Sequence, residues 1–126
     1  MESAAPLVQL LIRDDILIGT YRKNLHINLD IAKQIVKERI RYTRGKKMAA
    51  LIMSQGVNTI DKPAREYLAS ERGTEGLLAT AIVVSSPFDL LMGKFFLKVN
   101  KAPIPSKLFY STREAEKWLQ QFKIEN

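Results

Sequence analysis

Residues 48–64 read MAALIMSQGVNTIDKPA, and this stretch predicts the fold class. Its first six residues, 48–53, form an unbroken apolar run, which is typical of a strand that is covered on both faces in a parallel sheet. A loop follows, and Asp61 or Lys62 then caps a helix in which Pro63 occupies the first turn, where its missing N–H is not needed. A strand, a loop and a helix in this order predict an α/β domain.

The segments before this stretch predict a hairpin and a helix. Two β-forming runs, Leu7 to Ile12 and Ile16 to Tyr21, flank a short polar segment, a pattern that is typical of a β hairpin. Asn28 then offers a helix cap, and apolar residues recur at helical spacing until the next glycine. We expect the first helix to run from about Leu29 to Thr43.

The segments after residues 48–64 add two strands and two helices. The β-branched run Ala79 to Ser85 predicts the central strand of the sheet. Phe88 to Asn100 has the length of a helix but is apolar around most of its circumference. Lys107 to Tyr110 predicts a short strand, after which Ser111 and Glu114, in capping-box register, begin a terminal amphipathic helix.

The complete order is an N-terminal β hairpin followed by α-β-α-β-α-β-α. This alternation predicts an α/β fold with a mixed sheet, parallel in its later strands, right-handed crossovers and helices that cover the sheet. The length of 126 residues and the 46% share of hydrophobic residues predict a single domain over residues 1–126. The strand order stays open at this point.

Composition excludes several kinds of site. The chain has no cysteine and one histidine, so we expect no disulfide, no thiol nucleophile, no metal cluster and no cofactor. His26 has no neighbouring serine or acid in the sequence and is interpreted as a packing residue before the first helix. The carboxylate pairs Asp14 with Asp15 and Glu114 with Glu116 fit a turn and a helix start. Together these features predict a protein that is not an enzyme.

The same composition favours a cytoplasmic protein. Cysteine is absent, and no basic region precedes the short apolar stretch near the N-terminus, as it would in a signal peptide. The longest apolar runs, residues 48–53 and 77–84, are far shorter than the ~20 residues that span a bilayer. We expect no transmembrane segment.

One segment carries the formal net charge of +7. Between Arg22 and Lys47 nine basic residues face two acidic ones, whereas the rest of the chain is balanced. Four of the basic residues fall within about 80° of one another on a helical wheel, opposite the apolar stripe. This basic ridge consists of Lys33, Lys37, Arg41 and Arg44. It predicts a solvated helix face, which the lack of interleaved aromatic residues favours, or a surface that binds nucleic acid or an anionic membrane.

Two segments carry a resemblance to a known family. ALIMSQGVNTIDKPA, residues 50–64, resembles the STAS family (sulfate transporter and anti-sigma factor antagonist). AIVVSSPFDLLMGKFFLKVNKAPIPSKLFYSTREAEKWL, residues 81–119, is similar to STAS-like bacterial proteins of unassigned function. The order and number of elements match over nearly the whole chain. The resemblance implies a regulatory fold that binds a partner protein.

In the STAS family a serine that follows Asp at a helix start is often phosphorylated. This sequence retains Asp61, but Lys62 and Pro63 stand where the two serines of the family pattern would be, so the serine switch is not expected to work here. Ser54 and Thr59 carry hydroxyls in the same loop but do not occupy the acceptor position. The candidate switch loop consists of Ser54, Thr59, Asp61 and Lys62.

The helix predicted over residues 88–100 provides a candidate interface. Five apolar residues share one arc of about 100° and are expected to pack on the sheet. They are Phe88, Leu91, Met92, Phe95 and Val99. Leu90, Gly93 and Leu97 fall on the other side, where the glycine permits close approach, and we predict that they form an exposed binding patch.

Three functions follow as alternatives. The first is a non-catalytic STAS-like module that binds an unidentified protein partner, or a second copy of itself as a homodimer. The second is binding of a polyanion through the basic ridge. The third is binding of a small lipid or metabolite in a pocket under the last helices.

Overall fold

The computed structural model describes residues 7–54 and 59–123. Its strands are β1 (Val8–Arg13), β2 (Ile16–Tyr21), β3 (His26–Ile27), β4 (Met48–Met53), β5 (Thr59–Ile60), β6 (Leu77–Val83) and β7 (Ser106–Phe109). Its helices are α1 (Leu29–Thr43), α2 (Lys62–Leu68), α3 (Pro87–Val99) and α4 (Thr112–Leu119), followed by a 3₁₀ turn at Gln120–Phe122. Residues 55–58 of the predicted loop and both ends of the predicted domain lie outside the described residues.

Five strands form the main sheet in the order β1-β2-β4-β6-β7. β1 pairs antiparallel with β2, and all later pairs are parallel, which confirms the mixed sheet. The prediction that the run now seen as β6 is the central strand was wrong. β4 is central, because the hairpin adds two strands on one side of it while β6 and β7 follow on the other.

Local sequence signals explain where the elements begin. Asp14 and Asp15 adopt positive φ angles of 54° and 64° in the turn between β1 and β2, as a two-residue hairpin turn requires. Three helices begin with a side-chain N-cap. The Asn28 side chain accepts a hydrogen bond from the Ile31 N–H at the start of α1. The Ser86 hydroxyl accepts from the Asp89 N–H at the start of α3, and the Ser111 hydroxyl accepts from the Glu114 N–H at the start of α4. The predicted bounds of α1 are confirmed.

One face of the sheet is closely packed. Alternate side chains of β2, β4 and β6 pack against α4. Among them, Leu51 of β4 and Ala81 of β6 are inaccessible to solvent, as are Ala115 and Leu119 of α4. Ile18 of β2 belongs to the same cluster. An ion pair of 3.0 Å between Arg13 and Glu116 also joins the hairpin to α4.

The other face of the sheet is shared by three helices. α1 packs with α2 beside the hairpin, while α3 crosses at the far edge against β7. A second, two-stranded sheet, in which β3 pairs in parallel with β5, lies at the start of α1 and α2. No helix among the described residues is long and apolar enough to cross a bilayer.

Candidate ligand-binding cavity

The face of α3 that was predicted to pack on the sheet is the face exposed to solvent. The five residues expected to pack on the sheet are all exposed, by 46% to 61%. They are Phe88, Leu91, Met92, Phe95 and Val99. Leu90, Gly93 and Leu97, predicted as an exposed patch, are partly buried instead. The predicted interface is therefore wrong in its orientation, and no residue of α3 is fully buried.

Gly93 explains how α3 approaches the sheet. A Cβ atom at this position would come within 2.8 Å of Leu108 Cδ2 on β7, so a larger residue would require the Leu108 side chain to shift. The sequence predicted that Gly93 permits the close approach of a binding partner, whereas in the structure it lies against β7 of the same chain. Contact at the sheet edge leaves the middle of the sheet uncovered by α3.

A cavity of about 540 Å³ occupies the space between the sheet, α2 and α3. Its floor consists of side chains from three adjacent strands, namely Ile52 of β4, Thr80 and Ile82 of β6, and Ser106 and Leu108 of β7. Its other walls include Leu68 and Ala69 of α2 and Phe88, Met92 and Phe96 of α3. The side chains that line it are mostly apolar, so it suits an apolar body with few polar groups.

Arg39 of α1 reaches one wall of this cavity and is 9% exposed. Its Nη2 donates to the carbonyl oxygens of Gly73 at 3.1 Å and Glu75 at 2.8 Å, in the loop before β6. Burial lowers the pKa of Arg39, while nearby Tyr21 acts in the opposite direction. Burial also raises the pKa of Tyr21, which lines the cavity too, and the charge of Arg39 offsets part of that rise. One wall of the cavity thus carries a cation in a poorly solvated place.

Two further polar side chains line the cavity with unsatisfied atoms. Arg65 of α2 donates from Nη1 to the Ile60 carbonyl at 2.9 Å, but its buried Nε has no hydrogen-bond partner among the described residues. The buried Oδ1 of Asn100, the C-cap of α3, also lacks a partner there. Buried polar atoms are rarely left unpaired, so these two atoms are exceptions among the described residues.

The candidate switch loop lies beside the cavity. Ser54 and Thr59 line it, Asp61 is the N-cap of α2, and Lys62 is the exposed first residue of that helix. The Asp61 carboxylate makes no cap bond. It lies 3.1 Å from Nε2 of His26 instead.

The interpretation of His26 as a packing residue was wrong. Its side chain is 59% exposed and lies between two residues of the candidate switch loop, because β3 and β5 pair in parallel with His26 opposite Thr59. Nδ1 of His26 lies 2.5 Å from the Thr59 hydroxyl. When the neutral ring carries its proton on Nε2, which faces Asp61, Nδ1 accepts a hydrogen bond from that hydroxyl. The three side chains hold the small sheet to the start of α2. In the described part of the chain, no three His, Asp or Glu side chains group as metal ligands.

The basic ridge lies on the solvent side of α1. Lys33, Lys37, Arg41 and Arg44 are all exposed, although Arg44 is the left-handed C-cap and stands outside the helix proper. The Lys33 ammonium lies 6.0 Å from the centre of the Tyr67 ring. Polyanion binding by this surface stays a prediction.

Sequence reasoning missed most of the cavity. Arg39 had a local signal, since it follows Ala32, Ile35 and Val36 on the buried stripe of α1 at helical spacing. Arg65 and Asn100 had none, because their environment is built from strands and helices far apart in the sequence. Local sequence patterns predict helices and strands but contain no information about the space between them.

Comparison with solved structures identifies the fold. An uncharacterized protein of the DUF3478 family from Shewanella loihica PV-4, described as having a SpoIIAA-like fold, matches with a TM-score of 0.60 and 17% sequence identity. The match covers 94% of this chain and 98% of that chain. The chain therefore has the SpoIIAA-like, or STAS-like, fold, which confirms the resemblance; at this identity the likeness concerns the fold alone.

The sequence also matches a family. Residues 10–123 match the family described as "Domain of unknown function (DUF7793)", and the chain belongs to it. A protein of unknown function from Arthrobacter sp. FB24 is 21% identical over 94% of this chain and 98% of that chain, with a TM-score of 0.34. No curated protein matches the sequence.

Proposed function

We propose that this STAS-like domain is a non-catalytic binding module whose ligand is a small apolar or amphiphilic molecule held between the sheet, α2 and α3. The cavity of about 540 Å³ is the observation that carries the proposal. Ligand sites typically have volumes of about 300–1,000 Å³ and are apolar, with a few placed polar groups. The cavity has this size and this composition.

The contrast between the two faces of the sheet supports the proposal. On the α4 face, residues such as Leu51, Ala81 and Leu119 are fully buried, as expected of a closely packed core. On the α3 face, Thr80, Ile82 and Leu108 are only partly buried and border open space. An apolar ligand would remove this surface from water, which stabilises a complex by about 25 cal/mol per Å² of apolar area before the entropic cost of binding.

A second candidate function is binding of a protein partner or a second copy of the chain. The exposed apolar residues of α3 favour it, because Leu91 and Val99 face away from the cavity while Phe88, Met92 and Phe95 border it and are also exposed. Self-association about a two-fold axis lets the same face serve both partners. This surface replaces the predicted patch at Leu90, Gly93 and Leu97, which faces inward.

Binding of octanol tests the proposed function. Isothermal titration calorimetry should detect saturable binding of octanol to the wild-type protein, and Thr80→Phe should weaken it by about tenfold, because the ring fills space at the cavity floor. Thr20→Phe is the matched control. Thr20 lies on the face of β2 that carries Ile16 and Ile18, opposite the cavity, so octanol binding should persist.

A lack of binding to the wild-type protein would contradict the proposal. Equal weakening by Thr80→Phe and Thr20→Phe would also contradict it, because it would place the octanol site outside the cavity. Circular dichroism should show that both variants retain the secondary structure of the wild type.

A further inference from the structure

An apolar row runs along the solvent side of α3. Leu91, Phe95 and Val99 follow one another at four-residue spacing, so their side chains share one line along the helix. Each of the three is more than half exposed, as is Phe88 one turn before Leu91. A contiguous exposed apolar surface of this kind marks a docking site for a protein or a membrane.

A row of lysines lies beside the apolar row. Lys94 and Lys98 are exposed and follow Leu91 and Phe95 by three residues each, so they neighbour them on the helix surface. Neither lysine forms an ion pair within the described part of the chain. Asp89, the only acid of α3, is partly buried and hydrogen-bonded at the start of the helix. The exposed side of α3 thus combines bulky apolar side chains with uncompensated positive charge.

This combination selects the kind of surface that α3 fits. Lysine is depleted in protein–protein interfaces, and a second copy of α3 would bring two more lysines but no exposed acid. On an anionic membrane, by contrast, apolar side chains enter the acyl region while lysine stems extend their ammonium groups to the lipid phosphates. The charges therefore favour a lipid surface over a second copy of the chain.

The length of α3 and its place beside the cavity fit the same surface. Its thirteen residues span about 20 Å, less than the hydrocarbon core of a bilayer, so the helix would lie along the surface. Phe88, Met92 and Phe95 are exposed and also line the cavity. Apolar surface therefore continues from the outer side of α3 to the cavity, as suits contact with acyl chains.

We infer that α3 docks the domain on an anionic membrane surface. Leu91, Phe95 and Val99 enter the acyl region, and Lys94 and Lys98 contact the phosphate groups of the lipids. The inference goes beyond the proposed function, because it concerns the outer side of α3 and holds whether or not the cavity takes a ligand. The surface also differs from the basic ridge of α1.

Sedimentation with lipid vesicles tests the inference. The wild-type protein should bind vesicles made of equal parts of phosphatidylcholine and phosphatidylglycerol, and should bind pure phosphatidylcholine vesicles at least about tenfold more weakly. The double variant Leu91→Gln, Val99→Gln keeps the charge and should weaken binding to the anionic vesicles by at least about tenfold, because it removes inserted apolar surface. The double variant Lys94→Gln, Lys98→Gln should weaken it by about tenfold.

The double variant Lys37→Gln, Arg41→Gln is the matched control. It removes the same amount of charge from the basic ridge, so binding to the anionic vesicles should fall by no more than about threefold. All the replaced side chains are exposed, so circular dichroism should show that the three variants keep the secondary structure of the wild type.

Several results would overturn the inference. One is a wild-type protein that does not bind the anionic vesicles, and another is unchanged binding by Leu91→Gln, Val99→Gln. Losses in the Lys37 and Arg41 variant that equal or exceed those in the Lys94 and Lys98 variant would assign the attraction to net charge or to the basic ridge. A dimer that is lost in Leu91→Gln, Val99→Gln, without vesicle binding by the wild type, would assign the apolar row to a protein interface. Octanol binding needs no vesicle, so the proposed function stands or fails separately.

Discussion

At the scale of single residues, the domain uses arginine in two ways. Arg39 and Arg41 lie two positions apart on α1, yet the first is buried against the loop before β6 and the second is exposed to solvent. Arg39 connects α1 to that loop through the carbonyl oxygens of Gly73 and Glu75. Its hydrogen bonds thus anchor the segment that leads into β6, whereas Arg41 contributes only surface charge.

The first prediction concerns this contrast. Arg39→Ala should lower the free energy of unfolding by about 2–3 kcal/mol, because it leaves two carbonyl oxygens without a donor and opens space in a buried region. Arg41→Ala, the control, should change the free energy of unfolding by no more than about 0.5 kcal/mol. Urea denaturation followed by circular dichroism measures both. Similar losses in the two variants would mean that the Arg39 contacts do not stabilise the fold.

At the scale of elements, α3 differs from the other helices. It is apolar on nearly all sides, carries no fully buried residue and contacts the sheet mainly through β7. Gly93 places it against Leu108, so Leu90 and Leu97 turn inward while Leu91 and Val99 face solvent. α3 therefore acts as a cover over the cavity, held at the edge of the sheet.

The second prediction follows from this orientation. The double variant Leu91→Glu, Val99→Glu should change the free energy of unfolding by less than about 1 kcal/mol, because both side chains are exposed and neither lines the cavity. The double variant Leu90→Glu, Leu97→Glu should cost about 2 kcal/mol or more, because it places charges in partly buried positions. Thermal or urea denaturation distinguishes them. The reverse order of stabilities would restore the helix orientation that the sequence predicted.

The same pair of variants tests the second candidate function. If the outer face of α3 mediates self-association, light scattering should show a complex for the wild-type protein that is lost in Leu91→Glu, Val99→Glu. A wild-type protein that is monomeric across the accessible concentrations would argue against self-association through this face.

At the scale of the whole molecule, the two sides of the sheet differ in how tightly they are packed. The core on the α4 side includes Leu51, Ala79, Ala115 and Leu119, none more than 1% exposed. The opposite side contains the cavity and a helix without buried residues. Regions with few buried apolar contacts open locally at lower free energy than the core, so stability should be distributed unevenly across the domain.

The third prediction is that hydrogen exchange reveals this unevenness. Amides in α3 should exchange through openings that cost at least about 2 kcal/mol less than those of β4, because α3 lacks buried contacts whereas residues 48–51 of β4 are buried. α4 is the control helix, since Ala115 and Leu119 anchor it, and its central amides should be better protected than those of α3. Added octanol should slow exchange in α3 selectively. Equal protection of α3 and α4 without ligand would contradict this account.

The sequence by itself determined the class of fold and the main elements, but not the short strands β3 and β5. The turn at Asp14 and Asp15, the cap at Asn28 and the apolar run at residues 48–53 act through local backbone preferences and periodicity, so each could be recognised in a few residues. The capping serine Ser111 belongs to the same group. The alternation of these elements was sufficient to predict a mixed α/β sheet.

Tertiary structure alone decided the strand order, the orientation of α3 and the position of the cavity. α3 is apolar around most of its surface, so its periodicity did not indicate which side faces the sheet; contact between Gly93 and Leu108 decided it. His26 meets Thr59 and Asp61 only because two short strands pair across a large separation in sequence. Arg65 likewise lines a cavity whose other walls come from β4, β6, β7 and α3. These features depend on long-range packing, which local patterns do not encode.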